Sequence, residues 1–548
     1  MDRPFSQQLP LMAAAALGVS TTVFLDYLAF LISPTHMLVY HLSGRPSVVF
    51  ISTIADILLL AAACLAALLY ANERAGLHRV LWSGLLCMFP WVFVKHFCTV
   101  ADLHESHHAS VAIFAICVTA FLFLILVRSA AADRLFGRIQ EFGMMVFVAA
   151  GVVGALALIE TTWFAVEARH LNDQTVADTI ARPANAVPHG RVLWIILDEL
   201  AYRQLYEERL PGLQLPAFDQ FRAESTVFSN VEPAGIRTEI VLPALMTGDA
   251  VDHIESAPDG RLSIHDQRGW HPFDQRNTVF ADADALGYRS SVVGWFNPYC
   301  RILPSVLDSC FWVNHSLLDD FSTNRSIPQD LLTPVETLFE KLPMFLGLTK
   351  TPSYDLQKGK EHIRDYVELD RAADAALSDS RNTFVFLHMP VPHPEGIWDR
   401  RTGQFAVDRS CYVDNLALAD DYLAHVRRLL EAAGQWESTT VVIMGDHAWR
   451  TQLLWKGSPG WNRDDQLASD GGRFDPRPAY LVKLPYQHTA DTVATSFAAV
   501  RTRPLLDQLL QGRITSPAQL QQWVARGQAS PVSAQTPRAT QPRKGDHS

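Results

Sequence analysis

The chain has 548 residues, enough for two or three structural units with at least one large buried core. Hydrophobic residues make up 49% of it and the formal net charge is -11. With no basic stripe and no zinc-finger spacing, that balance argues against a general affinity for nucleic acid. The apolar residues crowd into the first third, so the sequence divides into a membrane part and a soluble part.

Five apolar stretches lie in that first third, roughly Leu9–Ile32, Val48–Tyr70, Leu81–Val100, Ser110–Val127 and Gly143–Val166. Each approaches or exceeds the length of about 20 residues that a bilayer-crossing helix needs. The first has no small-residue cleavage site and four more follow, so it reads as a retained anchor and not as a signal peptide. Arg3, Arg74, Arg79, Arg128, Arg134 and Arg138 fall on one side, against Arg45 and Lys95 on the other. The arginine-rich side is expected to be cytoplasmic. An odd number of spans then places everything after about Glu167 outside: a multi-pass protein of the cytoplasmic membrane with an extracytoplasmic, periplasmic domain. Asp26 and Asp56 lie inside predicted spans, where a carboxylate marks either function or a bond to a neighbouring helix. The outer loop Ala101-Asp-Leu-His-Glu-Ser-His-His-Ala109 could hold a metal or a lipid head group. Without regular ligand spacing, a solvated polar loop is the simpler reading.

Residues 1–166 are thus expected to form a transmembrane domain of five helices, and the polar run 167–190, with Pro183 and Pro188, a linker. Beyond it, strand candidates Arg191–Leu197, Asn382–Leu387, Thr439–Met444 and Ala479–Leu484 alternate with helical patterns at Ser353–Leu377, Tyr412–Ala433 and Thr489–Leu510. That alternation predicts an α/β domain with a mostly parallel sheet over 191–526. The Pro-, Ser- and Gln-rich tail 527–548 has the composition of disorder. Of seven cysteines, Cys64, Cys87, Cys98 and Cys117 lie in apolar stretches and Cys300, Cys310 and Cys411 downstream, with no CxxC pair. In an oxidising compartment Cys300 and Cys310 are expected to pair, leaving Cys411 as a buried thiol.

Three strands end on residues that can bind a metal, where ligand sites of open α/β sheets gather. Val192–Leu197 runs into Asp198 and Glu199. Val441–Met444 runs into Gly445, Asp446 and His447. Phe384–Leu387 runs into His388 and then His393. Carboxylates with imidazole and no cysteine suit zinc or manganese, with magnesium or calcium possible. Taken singly, Asp198 could cap a helix and Asp446-His447 could be a turn. Recurrence at several strand ends favours a metal centre.

On these residues the chain resembles the sulfatase/alkaline phosphatase superfamily. Arg237-Thr-Glu-Ile-Val-Leu-Pro-Ala-Leu-Met-Thr-Gly248 is similar to that family's nucleophile segment, with Thr238 nine residues before Thr247. Phe386-Leu-His-Met-Pro-Val-Pro-His-Pro394 resembles its histidine-bearing strand end. Tyr412-Val-Asp-Asn-Leu-Ala-Leu-Ala-Asp-Asp421 and Val441-Val-Ile-Met-Gly-Asp-His447 resemble the helix and strand that carry its Asp-His pair. True sulfatases carry a Cys or Ser convertible to formylglycine, followed by Pro and Arg. Here Thr238 is followed by Ile240 and Leu242, so that chemistry is absent. A threonine behind a multi-span anchor is similar instead to phosphoethanolamine and phosphoglycerol transferases of bacterial envelopes, which usually have Glu where this chain has Asp198 then Glu199.

The resemblance implies covalent catalysis through a phosphothreonine at Thr238, with Asp198, Asp446 and His447 (Glu199 as alternate) on a divalent metal. His393 is implied in a second metal, proton transfer or substrate contact. His388, Arg237 and Lys456 read as structural or, for the two cations, as phosphate clamps. The implied partners are a phospholipid donor and an envelope glycan or lipid acceptor. A phosphodiesterase or phosphatase on the same scaffold is the alternative, because both share the first half-reaction. A receptor or transporter is a third reading, disfavoured by five spans without a visible repeat.

Overall fold

The computed structural model describes residues 5–33, 40–42, 45–100, 107–171, 187–315, 327–332, 353–407, 409–458 and 460–527. Outer-loop residues 101–106, most of the linker (172–186), the tail 528–548 and the side chains of Asp26, Lys95, Cys98, His107 and His108 lie outside the described residues.

The apolar third folds into helices α1 (Phe5–Val23), α2 (Leu25–Leu31), α3 (Pro46–Asn72), α4 (Ala75–Val100), α5 (His107–Leu126) and α6 (Ala130–Glu167). The first apolar stretch is therefore two helices, parted at Phe24. Among the described residues, two helices, Pro46–Asn72 and Ala130–His170, are long and apolar enough to cross a membrane by length and composition. Helices α1 and α6 touch backbone to backbone. A Cβ on Gly151 would stand 2.0 Å from the Ala14 carbonyl oxygen, and one on Gly18 equally close to that of Phe147. Small residues permit this approach.

At one end of these helices buried Arg79 ion-pairs with Asp133 and donates to the carbonyls of Leu124 (2.6 Å) and Val127 (3.1 Å). It so ties the start of α4 to the end of α5 and the start of α6. At the other end Leu31, Leu42, Val49, Phe50, Phe164 and Ala165 form one apolar cluster, beside the point where the chain leaves α6.

The C-terminal domain is built on an eight-stranded sheet. Its strands in chain order are β1 (Val192–Leu197), β2 (Thr226–Phe228), β3 (Ser290–Trp295), β4 (Ser309–Val313), β5 (Phe384–Met389), β6 (Thr440–Met444), β7 (Tyr480–Lys483) and β8 (Asp491–Val493). Across the sheet the order is β8-β2-β7-β6-β1-β5-β3-β4. All neighbours run parallel except those of β7, which is antiparallel to both β6 and β2. This is the α/β arrangement with a mostly parallel sheet that the sequence predicts.

Side chains alternate across each strand. Leu193, Ile195 and Leu197 join one core and Val192, Trp194 and Ile196 the other. With both faces covered, β1 reads as an unbroken apolar run, as central parallel strands do. The helical expectation at Thr489–Leu510 needs correction. Residues Asp491–Val493 pair with β2, Phe497–Ala498 pair with Val231–Glu232, and only Thr502–Leu510 is α-helix. Val493 and Phe497 each bury against the sheet's core, and that burial overrides a helical pattern.

Candidate active site

Strands β1 and β6 are neighbours and end level, Ile196 lying opposite Met444. Their next residues, Asp198 and Gly445-Asp446-His447, therefore emerge side by side. Gly445 has a steric reason: a Cβ there would sit 2.4 Å from the Leu200 carbonyl oxygen. Facing them is helix α7 (Thr238–Thr247), which places Thr238 in its first turn. The Thr247-Gly248 pair closes this helix. Thr247 Oγ1 donates to the Pro243 carbonyl at 2.8 Å, and Gly248 takes the left-handed cap conformation at φ 74°.

The Thr238 hydroxyl lies 2.9 Å from Asp446 Oδ2, 3.2 Å from Asp198 Oδ2 and 3.3 Å from His447 Nε2. All four side chains are buried. His447 Nδ1 lies 3.1 Å from the Ala448 carbonyl, which assigns the proton to Nδ1 and turns the Nε2 lone pair toward Thr238. Burial, and secondarily Arg450, push this imidazole down to about 4, so it is neutral. Asp446 Oδ1 accepts from the Glu199 amide at 3.1 Å. Burial raises both carboxyls, and repulsion from Asp446 and then Glu199 raises Asp198 further.

Asp198 Oδ1 is buried without a hydrogen-bond partner. Two crowded carboxylates, an orphaned oxygen, a neutral imidazole lone pair and a hydroxyl within one coordination sphere are the donor set of a divalent cation. Asp198, Asp446 and His447 form such a group, and a second one is Asp198, Glu199 and His393.

Glu199, the expected alternate ligand, belongs to the second of these groups and also has partners of its own. At φ 61° its backbone is left-handed, and its carboxylate turns to Arg450 Nε (2.6 Å), the Arg450 amide (3.3 Å) and Trp455 Nε1 (3.0 Å). A second cation there would have to displace Arg450. His393 borders the same centre through Asp198 and Glu199, and the Arg450 guanidinium lies 3.4 Å from its Nε2. Its ring packs between Trp295 and Trp455, each with centroids 5.1 Å away. Burial, then Arg450 and His362, hold it well below the usual histidine range. With Nε2 accepting from Arg450 and Nδ1 buried without a partner, His393 offers an N–H donor at Nδ1. The helix Tyr412–Ala432 holds this loop: Asn415 Nδ2 donates to the His393 carbonyl at 2.7 Å and to that of Glu395 at 3.0 Å.

His388 lies within β5, opposite Ile196, and supports Asp198: its Nε2 is 3.2 Å from Asp198 Oδ2 and its Nδ1 2.7 Å from the Tyr299 hydroxyl. Arg237 ion-pairs with Glu239 in the first turn of α7. Lys456 donates to the Gly471 carbonyl at 2.7 Å and is no part of the centre. Sequence reasoning missed Arg450, Trp455 and Tyr299. Arg450 was visible as a cation three residues beyond His447, whereas the two aromatics carried no local signal.

A family model described as sulfatase matches residues 191–467, more than half of the chain. No curated protein matches it by sequence. Among solved structures, the chain is similar to the phosphonate monoester hydrolase of Agrobacterium radiobacter, at 14% identity over 59% of this chain and 74% of that one, with a TM-score of 0.36. It is also similar to the lipoteichoic acid synthase LtaP from Listeria monocytogenes, at 12% identity over 61% and 76%, TM-score 0.33. A third likeness is to a protein in the alkaline phosphatase superfamily from Vibrio parahaemolyticus, at 12% identity over 62% and 69%, TM-score 0.31.

Proposed function

Because the chain belongs to the sulfatase family, we propose that it is a membrane-anchored, metal-dependent enzyme that transfers a phospho-linked head group from a phospholipid to an envelope glycan or lipid by way of Thr238. One observation carries this reading: a threonine hydroxyl within 3.3 Å of two carboxylates and an imidazole, where a formylglycine sulfatase would need Cys or Ser.

Asp198, Asp446 and His447 would hold the divalent cation, zinc or manganese by donor type, with magnesium or calcium possible. When bound, the cation favours the deprotonated Thr238 oxygen and offsets charge on the phospho group, an effect of several kcal/mol. Thr238 Oγ1 attacks phosphorus and its proton passes to Asp446 Oδ2, the nearest acceptor at 2.9 Å; the bond from phosphorus to the lipid oxygen breaks, and that oxygen takes up a proton from solvent and leaves as the alcohol. The first turn of α7 adds its positive helix end to the same place. The Nδ1–H of His393 and the outer edge of Arg450 would contact the non-bridging oxygens or the departing alcohol. An acceptor hydroxyl then attacks the phosphothreonine and frees Thr238. Water in that position would give the hydrolase.

Five membrane crossings with the domain outside accord with the arginine asymmetry and with the bundle's two ends. Arg79 and Asp133 meet at one end, and the contacts of Leu42 and Ala168 meet at the end facing the C-terminal domain. The test is to incubate detergent-solubilised protein with labelled phosphatidylethanolamine and phosphatidylglycerol and manganese. Release of diacylglycerol supports head-group transfer. Cleavage of soluble phosphate esters with no diacylglycerol formed contradicts it and selects the hydrolase.

A further inference from the structure

Between α2 and α3 the chain leaves the helices at Tyr40 and His41 and returns to them at Leu42. Tyr40, 1% exposed, is part of the apolar core of the C-terminal domain. His41 is buried too. Its Nδ1 donates to the Phe296 carbonyl at 3.3 Å and its ring lies 4.3 Å from that of Phe296. The segment is pinned from the other side by Asn314 Nδ2, which donates to the His41 carbonyl at 3.2 Å, and by Arg301, which donates to that of Leu42 at 2.6 Å.

The turn thus clamped leads directly to the centre. Phe296 is left-handed at φ 69°, a strained conformation for a side chain of that size. Before it, Trp295 packs against His393 at 5.1 Å and His388 at 6.2 Å. After it, the Tyr299 hydroxyl bonds His388, which bonds Asp198. Burial pushes His41 down to about 4 while Glu239, the neighbour of Thr238, pulls it upward. A neutral His41 therefore lies close to both the turn and the nucleophile segment.

We propose that His41, supplied by the N-terminal helical part, is a positioning residue of the active site, holding the Trp295–Tyr299 turn so that His388 and His393 keep their places around Asp198 and Arg450. It rests on the reading of Thr238 as nucleophile. Its consequence is that the site is complete only when the helical part is seated on the domain, which suits a substrate delivered from the membrane.

The test uses the full chain in detergent with manganese and bis(p-nitrophenyl) phosphate as probe, comparing His41→Ala, His41→Asn and His41→Leu. Asparagine keeps a donor near the Nδ1 position, and leucine keeps bulk without one. His41→Ala and His41→Leu should lower kcat about tenfold with KM within about twofold and manganese content unchanged, and His41→Asn should recover most of the loss. Wild-type kcat in His41→Leu overturns the inference, as does an equal loss in His41→Asn and His41→Leu. If His41→Ala does not fold, that pair alone decides. Thr238→Ala runs alongside: turnover in that variant sinks the functional reading itself, whereas an inactive Thr238→Ala with unaffected His41 variants sinks only this inference.

Discussion

Glu199 and Arg450 form a charged pair whose carboxylate is fully buried, and that carboxylate accepts from Trp455 as well. Removing one partner of such a pair typically costs about 3–5 kcal/mol, because the other charge stays buried and unpaired. Arg450→Ala should therefore lower the melting temperature and abolish turnover. Adding Glu199→Gln should return much of the stability and none of the turnover, if Arg450 also contacts the phospho group. Recovery of both in the double variant would assign Arg450 a packing role only.

Asp465 gives a pH signature independent of the centre. Burial raises its carboxyl to about 7, against hydrogen bonds that lower it. A carboxyl raised on folding keeps its proton in the native state, so its contribution to stability is full at acid pH and lost as pH rises through about 7. The fall in melting temperature between about pH 4 and about pH 7, where the unfolded carboxyl has lost its proton and the folded one keeps it, should be smaller in Asp465→Asn than in the parent, and equal slopes would refute this. At this scale the sequence was informative wherever chemistry follows a strand. Asp198, Asp446, His447 and Thr238 each stand at the end of a strand or start of a helix, and their convergence could be expected. The turning of Glu199 toward Arg450 could not, because it depends on a left-handed backbone at Glu199 and on Trp455, far along the chain.

Among the elements, the expected Cys300–Cys310 disulfide is present, with Cα atoms 5.6 Å apart and a sequence separation of 10. It joins the short helix Tyr299–Ile302 to β4 and so steadies the turn bearing Tyr299. In the chain-entropy model a loop this short contributes about 2–3 kcal/mol. Reduction, or Cys300→Ser, should lower the melting temperature accordingly. Unchanged melting under thorough reduction would show that the loop is fixed by packing alone. Cys411 is buried, and burial raises its thiol, so it should resist alkylation in the native protein.

The strands read correctly, β1, β5, β6 and β7, are the central apolar ones. Those missed are Asp491–Val493, read as helix, Thr226–Phe228, too short to show a period, and Ser290–Trp295 and Ser309–Val313, whose serines and glycine look like turns. Ser290 and Ser291 are nonetheless fully or almost fully buried, the latter's hydroxyl accepting from Ser309 at 2.7 Å. Cross-strand pairing of small polar side chains is invisible to a local hydrophobic pattern.

At the scale of the whole molecule, the helical part and the C-terminal domain share a boundary at residues 40–42 and at Leu171, whose side chain would lie 2.5 Å from a Cβ on Gly260. Both contacts fall at the end of the bundle opposite Arg79, the end that the proposed topology puts outside the cytoplasm. A reporter fused after Val166 should therefore be active only outside the cytoplasm, and activity confined to the cytoplasm would reverse the topology. The central proposal is that Thr238 takes a phospho-linked head group from a membrane lipid with the help of a divalent cation. The direct measurement is mass spectrometry of the Thr238 peptide after the full chain, in vesicles of phosphatidylethanolamine and phosphatidylglycerol, is supplied with manganese or zinc and quenched in acid. The account predicts a phosphoethanolamine or phosphoglycerol adduct on Thr238, absent after chelation and absent in Thr238→Ala. An unmodified Thr238, with diacylglycerol still released at the parent rate by Thr238→Ala, would contradict it.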